Sequence, residues 1–252
     1  MAKTIAIANQ KGGVGKTTTT INLGAALAVA ERRTLVVDVD PQSNTTRGLG
    51  FGPDPDRLSV YDCLFNGSAE THGVLDTDVA KLKLLPAERD LLGAELELVP
   101  VEHRESRLAR ALESLKPAFD YILIDCPPAL GLLTLNALVA ADSLLIPVQC
   151  EYLALEGLSE VMATLQRVAS ALNPALSLEG VVLTMYDERT NLGRQVQDEI
   201  RQHLGTKVFK TVIPRNVRLG EAPSFGKSIL TYDVRSKGAE AYMSLAREII
   251  ER

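Results

Sequence analysis

With 252 residues, 46% hydrophobic and 23% charged, the chain is long enough to bury the core of one α/β domain, and its 12 Pro and 18 Gly are scattered at element ends rather than pooled in a linker, so one domain over residues 1–252 is expected. No apolar run approaches the roughly 18 to 20 residues that cross a bilayer, and the N-terminus enters an apolar run directly, which predicts a soluble protein without a leader peptide or a DNA-binding domain ahead of it. The net charge of -5 argues against a generally nucleic-acid-binding surface, and the three cysteines, Cys63, Cys126 and Cys150, share no C-x-x-C spacing, so reduced thiols are expected; only a cluster bridging two subunits is left open by the spacing.

In chain order, Thr4 to Ala8 reads as a short buried strand running into Lys11-Gly12-Gly13-Val14-Gly15-Lys16-Thr17, and Thr18 to Ala30 as a helix. A strand that feeds a glycine-rich turn into a helix aims backbone N–H groups and the positive end of the helix dipole at one point, which suits a triphosphate. In the usual G-x-x-x-x-G-K-[ST] pattern the lysine, here Lys16, reaches the β and γ phosphates, and the hydroxyl, here Thr17, ligates Mg²⁺. The pattern is broken once: Gln10 stands where the first glycine belongs, and a second lysine, Lys11, stands beside it. Lys16 already serves one nucleotide, so Lys11 raises the question of whose phosphate it neutralises.

Thr34 to Val37 reads as the second strand and delivers Asp38 and Asp40 on either side of Val39, before Pro41. Two acids one residue apart lie on the same side of an extended chain, so both are expected to point into the phosphate site, one supporting the metal shell and the other orienting or polarising the attacking water. The alternative is an Asp-x-Asp-Pro turn without a catalytic part. From Phe51 to Val101 the sequence is the least interpretable, with only Lys83 to Leu85 strand-like. Beyond it, Ser106 to Leu115 reads as a helix. The strand Tyr121 to Ile124 then ends in Asp125-Cys126-Pro127-Pro128, the form of a Walker B acid at a strand tip, where the prolines stiffen the exit.

Leu132 to Ala140, Leu155 to Leu172, Gly193 to Leu204 and Gly238 to Glu251 are the remaining helices, separated by strands at Ser143 to Val148, Leu178 to Thr184 and, more weakly, Thr211 to Ile213. Apolar strands alternating with helices predict an α/β, three-layer P-loop NTPase fold: a mostly parallel twisted sheet covered by helices on both faces. In such sheets ligands bind beyond the carboxyl ends of the strands, where Gln10 to Thr17, Asp38 to Gln42 and Asp125 to Pro128 all fall. Charge is uneven: Arg189 to Lys237 holds ten Lys/Arg against four acids, so this segment carries +6 and the remainder -11. Such a segment is either a local phosphate-binding face or a solvated surface with chance clustering. His72, His103 and His203 are scattered, as surface or packing residues are.

Together these residues resemble the deviant Walker A ATPases of the ParA/MinD group, and most closely the short ParA-like chromosome partition proteins often called Soj. The matching blocks are Lys11 to Thr17, Asp38-Val39-Asp40-Pro41-Gln42, Asp125-Cys126-Pro127-Pro128, Pro147-Val148-Gln149-Cys150-Glu151-Tyr152, and Pro214-Arg215-Asn216-Val217-Arg218-Leu219 with Glu221-Ala222-Pro223-Ser224. They span nearly the whole chain. The resemblance implies that ATP, with Mg²⁺, closes two subunits into a sandwich homodimer in which Lys11 reaches the partner's nucleotide. It implies further that Lys11, Gly12, Gly13, Val14, Gly15, Lys16, Thr17 and Thr18 hold the nucleotide, that Glu151 touches the partner's nucleotide near the ribose, and that Pro214, Arg215 and Asn216 contact the adenine. Asp40 would position the hydrolytic water, and Thr17, Asp40 and Asp125 would surround the metal.

The same resemblance implies that the dimer binds double-stranded DNA without sequence preference, through arginines that match Arg189 and Arg218, and that a ParB-like partner stimulates hydrolysis. The protein would then be cytoplasmic and nucleoid-associated, partitioning a chromosome or plasmid, with no membrane partner. No helix-turn-helix pattern and only 4% aromatic residues argue against base readout or stacking. A MinD-like membrane-cycling ATPase would need a basic amphipathic tail, whereas the last helix has an apolar face of Tyr242, Met243, Ala246, Ile249 and Ile250 and mixed charges elsewhere. A metabolic amide or biotin-precursor synthetase would need a second-substrate pocket, for which Phe51 to Val101 is the available region. A nitrogenase-type reductase would need cluster cysteines that cannot be assigned.

Overall fold

The structure, a computed structural model, describes residues 2–66, 73–151 and 154–252; His72 and Tyr152 lie outside the described residues. Eight strands form one sheet: β1 (Lys3–Ile7), β2 (Thr34–Asp38), β3 (Leu75–Asp76), β4 (Leu82–Leu85), β5 (Tyr121–Asp125), β6 (Ser143–Gln149), β7 (Ser177–Tyr186) and β8 (Val208–Pro214). Their order is β3-β4-β2-β5-β1-β6-β7-β8, and every pairing is parallel except β3 with β4. The helices are α1 (Lys16–Val29), α2 (Asn44–Gly48), α3 (Val60–Asn66), α4 (Leu91–Glu97), α5 (Arg107–Glu113), α6 (Leu132–Ala140), α7 (Ala154–Ala171), α8 (Asn191–Leu204), α9 (Val217–Glu221), α10 (Ile229–Tyr232) and α11 (Lys237–Glu251).

The central strands are apolar at every position because both faces are covered, as expected of parallel strands. Successive residues of one strand enter different cores. Ile5, Ile7, Val36, Leu123 and Leu145 meet Leu23 and Leu27 of α1 and Tyr242 and Leu245 of α11, while Ala6, Leu35, Val37, Ile122 and Ile124 meet the side chains of α3 to α8. Because β1 lies between β5 and β6, the chain leaves β1 toward one side of the sheet and later fills the other. The crevice at that switch point is where the loop after β1 emerges.

The strand ends are in register. Ile7 pairs with Asp125, and Asp125 pairs with Asp38, so three neighbouring strands finish in one row, with both acids on the α1 face by their parity with Val36 and Leu123. The C-terminal segment wraps back onto α1. Tyr242 Oη lies 3.2 Å from Thr19 Oγ1, and the Asn22 carboxamide accepts from Ile229 N at 2.6 Å while donating to Thr18 O at 2.8 Å.

The expected strands and longer helices are present with ends shifted by at most three residues. The differences are β3, α3 and α4 in the 51–101 region, α2 just before it, and α9 and α10 near the C-terminus. These pieces are too short to show a period, and α4 exposes Leu92 and Leu96, which breaks the apolar stripe that would have marked it.

One close approach ties the segment after α2 to the C-terminal wrap. Gly226 has φ +65, and a Cβ there would stand 2.6 Å from Gly50 Cα. Gly226→Ala should therefore lower stability by about 1–3 kcal/mol. Urea unfolding would show it as an earlier midpoint, and an unchanged midpoint would refute the backbone contact.

Candidate functional site

The loop between β1 and α1 is built by two left-handed glycines, Gly13 at φ +76 and Gly15 at φ +90, conformations that a side chain would strain. Gly12 and Gly13 face open space where a Cβ would project, as a cradle for a bound group requires. The loop is anchored from three sides. Asn9 Oδ1 accepts from Lys11 N at 3.0 Å, Asn9 Nδ2 donates to Pro147 O at 2.8 Å, and Thr184 Oγ1 donates to Val14 O at 2.8 Å. Strands β6 and β7 thereby hold the loop that β1 delivers.

The two lysines are placed differently. Lys16 is 7% exposed and its ammonium donates to Lys11 O at 3.2 Å, inside the loop. Burial lowers its pKa, while the charges of Asp125 and Asp40 act in the opposite direction. The Lys11 side chain is 39% exposed and pairs with Glu151 Oε2 at 3.0 Å; Gln149 Nε2 donates to the other Glu151 oxygen.

Asp125 is fully buried at the end of β5 and is surrounded by hydroxyls. Thr17 and Thr20 of α1 donate to it at 2.8 and 3.2 Å, and Thr45 of α2 donates at 2.7 Å. Burial raises its pKa against the lowering effect of those three donors, and the Asp40 charge adds to the rise. Asp40 is 6% exposed beyond the end of β2, where its Oδ1 accepts from Gln42 N at 2.9 Å. Its charge acts on both Lys16 and Asp125, so Lys16, Thr17, Asp40 and Asp125 form one electrostatic group.

Asp38 differs from expectation. It does not offer a free carboxylate to the loop: Oδ2 accepts from Thr46 N at 2.9 Å and Thr46 Oγ1 at 2.7 Å, and Oδ1 accepts from Asp40 N at 3.1 Å. Thr46 Oγ1 in turn accepts from Ala87 N at 3.0 Å. Asp38 therefore organises the turn that carries Asp40. Burial, and then the charge of Asp125 one strand away, raise its pKa.

Among the described residues no three His, Cys, Asp or Glu side chains converge as a ready-made metal cage. The adjacent Thr17 hydroxyl and Asp125 carboxylate suit a small hard cation that takes one or two protein oxygens and completes its shell from substrate phosphates and water. On the other flank of the loop is a cavity of about 190 Å³, lined by Gly15, Thr18, Met185, Pro214, Arg215 and Asn216. Asn216 also caps α9, its Oδ1 accepting from Arg218 N at 2.9 Å. The site thus joins the expected loop, the two acids Asp40 and Asp125, and the Pro214 to Asn216 segment.

It does not include Arg189 or Arg218: Arg189 lines a separate cavity with Pro214 and Arg215, and Arg218 lines neither cavity. Arg189 pairs with Asp187 at 2.7 Å, hydrogen bonds that hold the Asp187 carboxyl down at about 2. Arg218 pairs with Glu221 at 2.9 Å and reaches Asp233 at 3.7 Å. A further cavity of about 300 Å³ lies in the uninterpreted region, between Gln42, Arg47, Phe51, Glu88, Arg89 and Leu92. Thr20, Thr45, Thr46 and Met185 are the site residues that no linear motif marked. The available signal was the run Ser43-Asn44-Thr45-Thr46 directly after Asp40-Pro41-Gln42.

A family model described as an AAA domain matches residues 2–178. The chain is 57% identical over 249 residues to the sporulation initiation inhibitor protein Soj of Bacillus subtilis (strain 168), covering 99% of this chain and 98% of that protein. It is 54% identical over 252 residues to the chromosome partitioning protein ParA of Myxococcus xanthus, covering 100% and 89%. Among solved structures, cobyrinic acid a,c-diamide synthase from Mycobacterium smegmatis with bound ADP and magnesium superposes with a TM-score of 0.87 at 40% identity, covering 100% of this chain and 95% of that one.

The paired acids generate a test. Asp38 should titrate above the ordinary carboxylate range, and Asp125→Asn should bring its midpoint down by removing a like charge, as followed by NMR of isotopically labelled aspartate carboxyls. A raised folded pKa contributes stability that is present below the unfolded value of about 4 and lost as pH rises through the folded midpoint, so the variant should also lose less stability between acidic and neutral pH. An Asp38 midpoint unmoved by Asp125→Asn would reject the coupling.

Proposed function

The chain belongs to the Soj/ParA family of chromosome-partitioning ATPases, and on that premise we propose that its hydrolysis of ATP times the lifetime of a DNA-bound dimer. The observation that carries this reading is the division between the two lysines. Lys16 lies buried in the loop, where a nucleotide's own phosphates would be met, whereas the Lys11 side chain is more than a third exposed and, among the described residues, is held by Glu151. A pair this open contributes at most about 1 kcal/mol, so a phosphate on a second subunit can displace it. Lys11 and Glu151 then meet the partner's nucleotide, and ATP binding becomes subunit association.

Within one subunit, residues 11–18 cradle the phosphates, Lys16 neutralises the β and γ groups, and Pro214, Arg215 and Asn216 border the base in the 190 Å³ cavity. Thr17 and Asp125 hold Mg²⁺, which when bound neutralises charge that develops on the phosphate oxygens. Asp40, fixed by Asp38 through its backbone N–H and by Gln42 N, orients the attacking water and borders the metal shell. One domain over residues 1–252 carries all of this.

Dimerisation doubles whatever phosphate-binding surface each subunit offers, so two weak half-sites gain avidity for double-stranded DNA. Arg189 and Arg218, on the segment of charge +6, would contribute phosphate contacts without reading bases, which makes binding steeply salt-dependent. A ParB-like partner stimulates the hydrolysis that ends the cycle, and the protein works in the cytoplasm on the nucleoid. The 300 Å³ cavity and the likeness to the cobyrinic acid a,c-diamide synthase structure are the observations that favour a synthetase on the same scaffold. Turnover without any added small substrate, stimulated by DNA together with a ParB-like protein, separates the two.

Asp40→Ala should retain ATP binding and dimerise while losing at least about a hundredfold in turnover; normal turnover would sink the assignment of Asp40. Lys11→Ala should remain more monomeric with ATP in light scattering while still capturing nucleotide, and an unchanged monomer–dimer profile would count against a lysine acting across the dimer.

A further inference from the structure

The two arginines expected to meet DNA are already neutralised by the chain's own acids, Arg189 by Asp187 and Arg218 by Glu221 and Asp233. Further positive charge lies beside Arg189, next to the nucleotide site. A cavity of about 380 Å³ opens where β7 and β8 end and α11 begins, lined by Tyr186, Asp187, Glu188, Arg189, Pro214, Arg215 and Lys237. Arg215 and Lys237 are exposed, and among the described residues neither side chain makes an ion pair or a hydrogen bond. The floor is firm: Arg215 N donates to Tyr186 O at 3.0 Å, and Pro214 is the strand partner of Tyr186.

The acids do not cancel this pair. Asp187 accepts from Arg189 Nε at 2.8 Å and Nη2 at 2.7 Å, so both of its oxygens are engaged and Arg215 acts on it through charge alone, while Glu188 is the other acid lining the cavity. A guanidinium fork and an ammonium facing one open cavity, with a tyrosine at its wall, match a phosphodiester oxygen pair better than a base edge.

We propose that Arg215 and Lys237 form a subsite for a backbone phosphate of double-stranded DNA on the wall shared with the base cavity. The sharing is direct, since Pro214 and Arg215 line both cavities. The subsite rests on the DNA-binding reading above and adds to it two residues whose side chains hold no ion pair among the described residues. Lys237 touches only the DNA side, whereas Arg215 serves both.

The test uses the full chain in an Asp40→Ala background, with ATP and Mg²⁺, titrated into labelled duplexes of unrelated sequence and followed by fluorescence anisotropy over a series of salt concentrations. Lys237→Gln should weaken every duplex alike, by about three- to tenfold, and reduce the salt slope by about 0.9 per protomer. Lys237→Arg should restore both quantities, and ATP affinity and dimer mass should stay at the parent's values in both variants. Arg215→Gln should weaken DNA similarly and also change ATP affinity. Parental affinity and slope in Lys237→Gln would overturn the subsite while leaving the DNA reading intact. No duplex binding by the Asp40→Ala parent itself would overturn the DNA reading and the subsite with it.

Discussion

The buried carboxylate of Asp125 is the point on which the site depends. It ends the strand beside β1, and three threonine hydroxyls converge on it, two from α1 and one from α2. A fully buried carboxylate without donors would be costly to keep ionised, and here the donors come from the phosphate loop's helix and from the helix that follows Asp40. The acid is thus satisfied by the two segments whose relative position a catalytic site must control. The Thr17 hydroxyl donates its proton to this acid and keeps its own oxygen lone pairs for a cation at the same place.

Asp38 repeats this arrangement one strand away with a structural result. Its cross-strand position next to Asp125 places two like charges in one buried row, and Thr46 compensates by giving Asp38 both its backbone N–H and its hydroxyl. The turn from β2 to α2 is therefore held by adjacent threonines that face different acids, Thr45 toward Asp125 and Thr46 toward Asp38. Asp125 and the turn that carries Asp40 are thus tied to the same five-residue helix.

The outer charges follow a different rule. Lys11 and Glu151, Arg189 and Asp187, and Arg218 and Glu221 are pairs in which a cation meets a neighbouring acid near solvent. Such pairs are weak and exchangeable, which suits groups whose proposed work is to leave one acid for a phosphate. Sequence charge counts treat all ten cations of the basic segment alike. Folding separates Arg189 and Arg218, which are paired with acids, from cations such as Arg215 and Lys237, whose side chains make no ion pair among the described residues.

The residue order alone determined the glycine-rich loop after β1, an aspartate at the end of β5, the strands of the central sheet and most of the longer helices. These features are local: a loop that must bend at Gly13 and Gly15, and strands buried on both faces that must be apolar throughout, leave their requirements in consecutive residues. The short elements of the 51–101 region left none, since β3 has two residues and α4 exposes two of its leucines. Spacing also suggested that Asp38 and Asp40 share a task, because an extended chain puts them on one side. Tertiary structure alone decided that Asp38 belongs to Thr46, that Thr45 belongs to Asp125, and that Lys11 rests on Glu151. Those choices depend on which distant donor or acceptor arrives within hydrogen-bonding distance once the sheet order is set, and linear spacing carries no information about that arrival.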